Sequence, residues 1–241
     1  MAEEDEDTQR LAKVVAARVP CSRREAEQYI TDGRVTVDGR PVVLPQHRVS
    51  ATQQVAIDTS ARLPPPAPVT LLLHKPAGMP TAEALALPSG ANHWAADPSR
   101  VPVARAQAGG LRVLLELPMP ASGLTVLSQD PRILRRLTED AAWIEQELIA
   151  DVTGTMHPGG LERLGRGLVA QGQTLPPARV SWQSETRLRF AVKGITPEQV
   201  PWLCEQVGLR LQALRRIRIG SVPMAGLPVG QWRFLGAAER F

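Results

Sequence analysis

The chain has 241 residues, 43% of them hydrophobic and 22% charged, with 28 Lys and Arg against 24 Asp and Glu for a formal charge of +4. That length accommodates two domains, each with its own core, and the balance is that of a globular protein with a mild basic bias. It excludes a disulfide scaffold and a dedicated metal protein: Cys21 and Cys204 lie far apart, the four histidines are scattered, and no ligand spacing recurs.

The first seven residues, MAEEDED, are acidic and lack apolar anchors, so residues 1–8 are expected to form a disordered tail. No basic start with an apolar run marks a signal peptide, and no apolar run is long enough to span a bilayer. The expectations are therefore a cytoplasmic monomer, no membrane partner and no metal or cofactor.

From Gln9 to Val19, apolar Leu11, Val14, Val15 and Ala16 recur near helical spacing, and Pro20 breaks the run. Ser22 followed by Glu25 reads as a capping box opening a second helix to Thr31, with Gly33 as its stop. Val35 and Val37 alternate with polar residues. Asp38-Gly39 then predicts a hairpin into Val42 and Val43, and a third strand is expected over Val55–Ile57. The run LPPPAP, 63–68, is a stiff linker separating a first domain over 9–62 from a second over 69–241. In the second domain, strands are expected at Val69–Leu73, Leu124–Leu127, Ile144–Val152, over Ala178–Val192, at Leu211–Ile219 and at Gln231–Leu235. Helices are expected at Pro131–Thr138, Leu161–Leu168 and Thr196–Val207, with loop from Thr81 to Gly110. The fold class is α+β: a small α-α-β domain, then a mixed, mostly antiparallel sheet domain.

The stretch between Val19 and Arg40, PCSRREAEQYITDGRVTVDGR, carries the strongest signal. Arg23 and Arg24 sit on the first turn of a helix, where backbone N–H groups already favour anions. Arginine forks match phosphate oxygens in two-pronged fashion, and Lys13, Arg18, Arg34 and Arg40 extend the same basic set. Such groups position RNA by phosphates and shape. The segment resembles the RNA-binding domain named after small-subunit ribosomal protein four. That resemblance implies structured RNA as partner, held through Ser22, Arg23, Arg24, Gln28 and Arg34.

Four further segments resemble the bacterial rRNA pseudouridine synthases that carry this same domain: LLLHKPAG (71–78), ELPMPASGLTVLSQD (116–130), IEQELIADV (144–152) and the closing run from Ile195 to Leu235. The family pattern Gly-Arg-Leu-Asp, two residues, Thr or Ser, one residue, Gly-Leu aligns on Ser122-Gly123-Leu124. Pro118 then stands where the essential aspartate belongs, and Glu116 where the arginine belongs. Leu148 replaces a tyrosine, Glu198 an arginine, and Pro201-Trp202 a pair of arginines, whereas Gln199, Leu203 and Glu205 keep the framework. In the family, breaking the N1–C1′ bond and rejoining the base through C5 depends on that one carboxylate and no cofactor. Proline offers no ionisable group and no nucleophile.

No catalytic residue is assigned. The expected function is that of an RNA-binding relative that grips rRNA or tRNA without isomerising it, with Arg215, Arg216 and Arg218 adding RNA-facing surface. Two alternatives stay open. One is an active synthase whose carboxylate is relocated to Glu116, Asp130 or Glu198; the other is a ribosome-assembly factor. Trp182, Trp202 and Trp232 are expected to be framework rather than base-stacking platforms.

Overall fold

A computed structural model describes residues 8–19, 21–59, 68–99, 101–103, 106, 109–170 and 173–241. The acidic start, the break at Pro20 and residues 63–67 of the proline-rich run lie outside the described residues. The chain divides into two compact units, a small mixed α and β module followed by a mixed sheet domain.

The first unit runs β1 (Gln9–Arg10), α1 (Leu11–Arg18), α2 (Arg23–Thr31), β2 (Val35–Val37), β3 (Arg40–Pro41), β4 (Arg48–Val49) and β5 (Val55–Ile57). Leu11 and Val15 of α1 meet Ala26 and Ile30 of α2 over a floor of Val35, Val37, Val49 and Val55. The spacing of the apolar residues in both helices gives one stripe each, and the short strands supply the facing layer. Ser22 and Glu25 form the capping box in full, which satisfies two otherwise orphaned amides. Asp38 and Gly39 have φ of 50° and 77°, both positive as a two-residue hairpin turn of the right twist requires. That turn fixes the register: Arg40 and Pro41 pair with Val37 and Thr36, and Val42 N donates to Val35 O at 2.9 Å. The strand expected over Val42 and Val43 thus begins earlier, at Arg40–Pro41, Val42 ends its pairing, and Val43 and Leu44 are exposed.

The second unit comprises β6 (Thr70–Lys75), β7 (Arg112–Leu114), β8 (Ser122–Ser128), α3 (Pro131–Thr138), β9 (Gln146–Gly154), α4 (Gly160–Arg166), β10 (Leu168–Ala170), β11 (Gln173–Leu175), β12 (Arg179–Ser184), β13 (Arg187–Val192), α5 (Val200–Glu205), β14 (Leu209–Ile219), β15 (Val222–Pro223) and β16 (Trp232–Phe234). Among the described residues nine strands form one sheet in the order β12-β13-β9-β14-β8-β6-β16, with β7 on β8 and β15 on β14. Leu148, Ala150, Phe190, Val200, Leu203 and Cys204 build the larger core, joining α5 to the sheet. A second cluster gathers Leu72, Leu124, Val126 and Leu137 of α3.

Two halves of this sheet meet at a narrow joint. β8 and β14 pair in parallel at Ser122 with Arg215 and Gly123 with Arg216, whereas the flanking pairs β9–β14 and β6–β8 run antiparallel over most of their lengths. The helix expected over Thr196–Val207 is split into a 3-10 turn at Pro197–Gln199 and α5. Pro201 lacks the N–H that would bond the Pro197 carbonyl, so Val200 donates to that carbonyl instead and tightens the turn. The expected loop after Thr81 contains 3-10 turns at Thr81–Ala86 and Gly90–Asn92. It then lies along β16: Trp94 N donates to Trp232 O at 2.8 Å, and Asp97 accepts from Phe234 N at 2.9 Å. β7 was not expected, because a three-residue strand carries too little alternation to stand out beside Ala- and Gly-rich sequence.

Candidate functional site

In the first unit, Lys13, Arg23, Arg24 and Arg40 are exposed. α2 begins at Arg23, so both adjacent arginines extend from its first turn. Arg23 makes an i,i+4 pair with Glu27 at 3.2 Å, with 74% of its side chain exposed; such a pair is weakly held and free to exchange for phosphate. Arg23 and Lys13 also line an open groove of about 510 Å³ with Thr8, Gln9, Arg10, Ala12 and Ala16. Arg10 escaped the sequence reading, although a basic residue immediately before the apolar run of α1 was its signal. The other expected contacts are engaged internally. Ser22 Oγ serves the capping box, and Arg18 donates from Nη1 to Val55 O at 2.6 Å. Arg34 is half-buried, with Nη1 shielded and unpartnered. Gln28 is corrected: it is 6% exposed and spends its amide on Asp32 at 2.6 Å, so it is a packing residue of α2 rather than a surface contact.

In the second unit, the loop 115–121 enters β8 and carries Pro118. Most of its carbonyls are held. Leu115 O accepts from Arg216 Nη2 at 2.5 Å, Leu117 O from Thr81 Oγ1 at 2.5 Å, and Pro118 O from Ala121 N at 3.0 Å. Met119 O accepts from Gly78 N at 2.8 Å and from Lys75 Nζ at 3.3 Å, and Ala121 O from Lys75 Nζ at 2.8 Å. Lys75 is fully buried and also donates to Pro76 O and Met79 O, at 3.0 and 2.7 Å. Leu115, at the position aligned with the pattern's glycine, has φ 49°. A leucine held there is strained by about 1 kcal/mol, so the surrounding bonds rather than local preference fix the loop. Pro118 is half-buried, and Glu116 and Met119 are exposed. The loop is thus held through its backbone, with Pro118 at its centre.

The candidates for a displaced carboxylate separate clearly. Asp130 caps α3, is bonded by Arg132, and lies beyond the far end of β8, about 20 Å of strand from Gly123. Glu116 and Glu198 are exposed, and the charge of Glu198 is felt at Arg216.

The three arginines of β14 singled out from sequence have three different fates. Arg215 is exposed. A bulge at Ile217 leaves Arg216 opposite Leu148 and Arg218 opposite Glu147; since neighbouring residues of β9 point to opposite faces, the bulge sends the two side chains apart. Arg216 is corrected: it is 0% exposed, so it cannot serve as RNA-facing surface. Its guanidinium reaches Leu124 O at 2.7 Å and Gln146 Oε1 at 2.9 Å besides Leu115 O. Burial presses it down to about 9, and it keeps its charge at neutral pH. Arg218 joins Glu145 and Glu147 at 2.5 Å each, and Arg179 and Arg189 complete that network. Burial raises the Glu147 carboxyl, and the hydrogen bonds from Arg189 and Arg218 outweigh it, leaving the group below its usual range. Trp232 is fully buried, Trp202 packs on the larger core and Trp182 is 37% exposed. Trp143, not singled out from sequence, is the most exposed tryptophan among the described residues at 76%.

His74 adds a pH dependence. It is 4% exposed; Nδ1 lies 2.7 Å from Leu227 O, so that nitrogen donates and Nε2 is left buried and unpartnered. Burial depresses its pKa below 6.5, with a smaller contribution from the Arg215 charge. Below 6.5 the unfolded chain binds a proton that the folded one resists, so stability falls as pH falls through that value. Melting temperature is expected to decline between about pH 6.5 and pH 5, and His74→Phe to flatten that decline while lowering the value at neutrality. Thermal melts across the range test it.

Residues 9–55 match the S4 domain family. Over 229 residues the chain is 23% identical to the dual-specificity RNA pseudouridine synthase RluF of Escherichia coli K12, covering 94% of this chain and 75% of that protein. Over 243 residues it is 26% identical to the ribosomal large subunit pseudouridine synthase B of Bacillus subtilis, covering 96% and 93%. A putative chloroplastic ribosomal large subunit pseudouridine synthase of Arabidopsis thaliana, SVR1, is 29% identical over 232 residues, and the chain spans 55% of its length. A crystal structure of a pseudouridylate synthase superposes over 94% of this chain and 96% of its own, with a TM-score of 0.58 at 19% identity, which establishes the shared fold. Over most of its length the chain is thus similar to pseudouridine synthases of the RluB and RluF type, and its first unit matches the S4 domain.

Proposed function

We propose that this protein binds structured ribosomal RNA through its S4 domain and does not isomerise uridine. The observation that carries the reading is Pro118: it occupies the centre of a loop held by hydrogen bonds to most of its carbonyls, at the position where the resemblance puts the ionised carboxylate that the reaction needs. Active sites lose large factors in rate for errors of about 1 Å, and Asp130, fixed as a helix cap, supplies no substitute. A binding role in subunit assembly is compatible with this reading, and co-sedimentation with precursor subunits would support it.

The second reading, an active synthase, has two points in its favour. The relatives are named as synthases, and Glu198 is the one displaced acid whose charge reaches Arg216. The test is to map pseudouridine in rRNA from cells with and without the gene. The expected result is identical maps. A site lost on deletion and restored by purified protein overturns the proposal, and loss of that restoration in Glu198→Gln would identify the acid.

A further inference from the structure

Residues 3–7 are Glu3, Glu4, Asp5, Glu6 and Asp7, five carboxylates in a row. The chain then enters the S4 unit at Thr8, whose carbonyl and hydroxyl accept from Arg48 at 2.7 and 2.8 Å. Thr8 also lines the open groove of about 510 Å³ described above, together with the basic residues Arg10, Lys13 and Arg23. Ala12 and Ala16, four residues apart on α1, give the groove a floor of small side chains. The acidic run therefore joins the fold at the rim of a basic groove, and Arg48 pins the point where it does so.

Residues 8–59 hold eight Lys and Arg against five Asp and Glu, a net charge of +3, and residues 3–7 add −5, which reverses the sign of the whole stretch. Among the described residues Arg10 and Lys13 have no carboxylate partner, and Arg23 has only its exposed pair with Glu27. Five residues cover at most about 17 Å of extended chain, and the eight residues of α1 are about 12 Å long. The run is thus long enough to follow the groove. Because both belong to one chain, their encounter is intramolecular, at an effective concentration in the millimolar range. Contacts too weak to hold two separate molecules then suffice.

We propose that residues 3–7 dock on the groove of Arg10, Lys13 and Arg23 as an internal substitute for RNA phosphates, and so gate the S4 unit. Gating rests on the reading that this unit binds RNA, and adds a regulation to it. Carboxylates and phosphate oxygens compete for the same guanidinium and ammonium donors. An RNA that offers phosphates to the groove alone has to displace five carboxylates. A structured RNA that also reaches Arg24 and Arg40, exposed and outside the groove, adds contacts that the acidic run does not contest. The run thereby selects against RNA held only by a few non-specific phosphate contacts.

The test compares the full chain with a neutralised form carrying Glu3→Gln, Glu4→Gln, Asp5→Asn, Glu6→Gln and Asp7→Asn. A nitroxide label is attached at Ala2→Cys, with Cys21→Ser to prevent labelling there; Cys204 is 0% exposed and stays unlabelled. Without RNA and at low salt, the amide resonances of Ala16 and Arg23 are expected to be broadened at least about twofold more in the intact chain than in the neutralised one, and equally in both near 1 M salt, where the Debye length is about 3 Å. Arg10→Gln with Lys13→Gln should remove the excess. Equal broadening at low salt, or an excess that survives those two substitutions, overturns the docking.

A second arm reads the gate. Affinity for a short RNA duplex is expected to rise about 10-fold on neutralisation at about 50 mM salt. General repulsion would give a rise by itself, so the discriminating readout is non-additivity. Arg10→Gln with Lys13→Gln should weaken binding at least about 3-fold more in the neutralised chain than in the intact one, where the same substitutions also release the acidic run. Equal factors in the two chains overturn the gate. If neither chain binds RNA, the RNA-binding reading fails, while the broadening result still decides the docking.

Discussion

Reversing Arg23 and Arg24 to glutamate is expected to lower affinity for structured RNA by at least about 100-fold, from two lost phosphate contacts worth roughly tenfold each plus new repulsion. Both side chains are exposed on the first turn of α2, where the peptide dipoles already favour an anion. The slope of log affinity against log salt should become shallower by about 2, because two fewer counterions are released. The fold should survive. Arg23 contributes only an exposed pair to Glu27, and a like-charge pair at that spacing costs about 0.5 kcal/mol. The capping box of Ser22 and Glu25, which holds the helix start, is left intact. Fluorescence anisotropy at two salt concentrations, with circular dichroism as the fold control, checks it. Unaltered affinity would remove the S4 domain from the binding assignment.

Gly123→Ala should be the most damaging single substitution in the second unit. An added Cβ would stand 2.2 Å from Arg216 O and 2.6 Å from Arg216 N, both backbone atoms of the neighbouring strand, at a φ of 114° that alanine rarely adopts. Neither strand can withdraw cheaply. β8 is bound along its other edge to β6, and β14 along its other edge to β9. The pairing between them spans only Ser122–Arg215 and Gly123–Arg216, so the clash falls on the joint between the two halves of the sheet. Arg216 stitches that joint through Leu124 O and Leu115 O, and would be displaced with it. A loss of about 4 kcal/mol or more is expected, or a fall of roughly 8–16 °C in melting temperature. Differential scanning calorimetry checks it. A fall under about 3 °C would mean that the two half-sheets hold without this close approach.

The sequence disclosed the elements whose chemistry is local. Ser22 and Glu25 announced α2 because a capping box is written within four residues, and Asp38-Gly39 announced its hairpin because few other pairs tolerate two positive φ values. The resemblance placed Pro118 in the loop leading to β8, where it stands. What stayed hidden depends on contacts between distant segments. Arg215, Arg216 and Arg218 look alike in sequence; the bulge at Ile217 buries one, pairs one with Glu145 and Glu147, and leaves one exposed. Lys75 reads as an ordinary cation after an apolar strand, and nothing nearby in the chain reveals that carbonyls 44 and 46 residues away enclose it. Gln28 was expected at the RNA surface from the resemblance alone, while in the fold it is buried and bonded to Asp32.

Leu115 is a leucine bent into a shape that suits glycine, and bonds from Arg216, Thr81, Gly78 and Lys75 hold it and the residues after it in place. The geometry of this segment is therefore inherited from the architecture and is independent of which side chains it displays. The same independence makes the segment a ready chassis for redesign, in which new functional groups can be installed without rebuilding the frame.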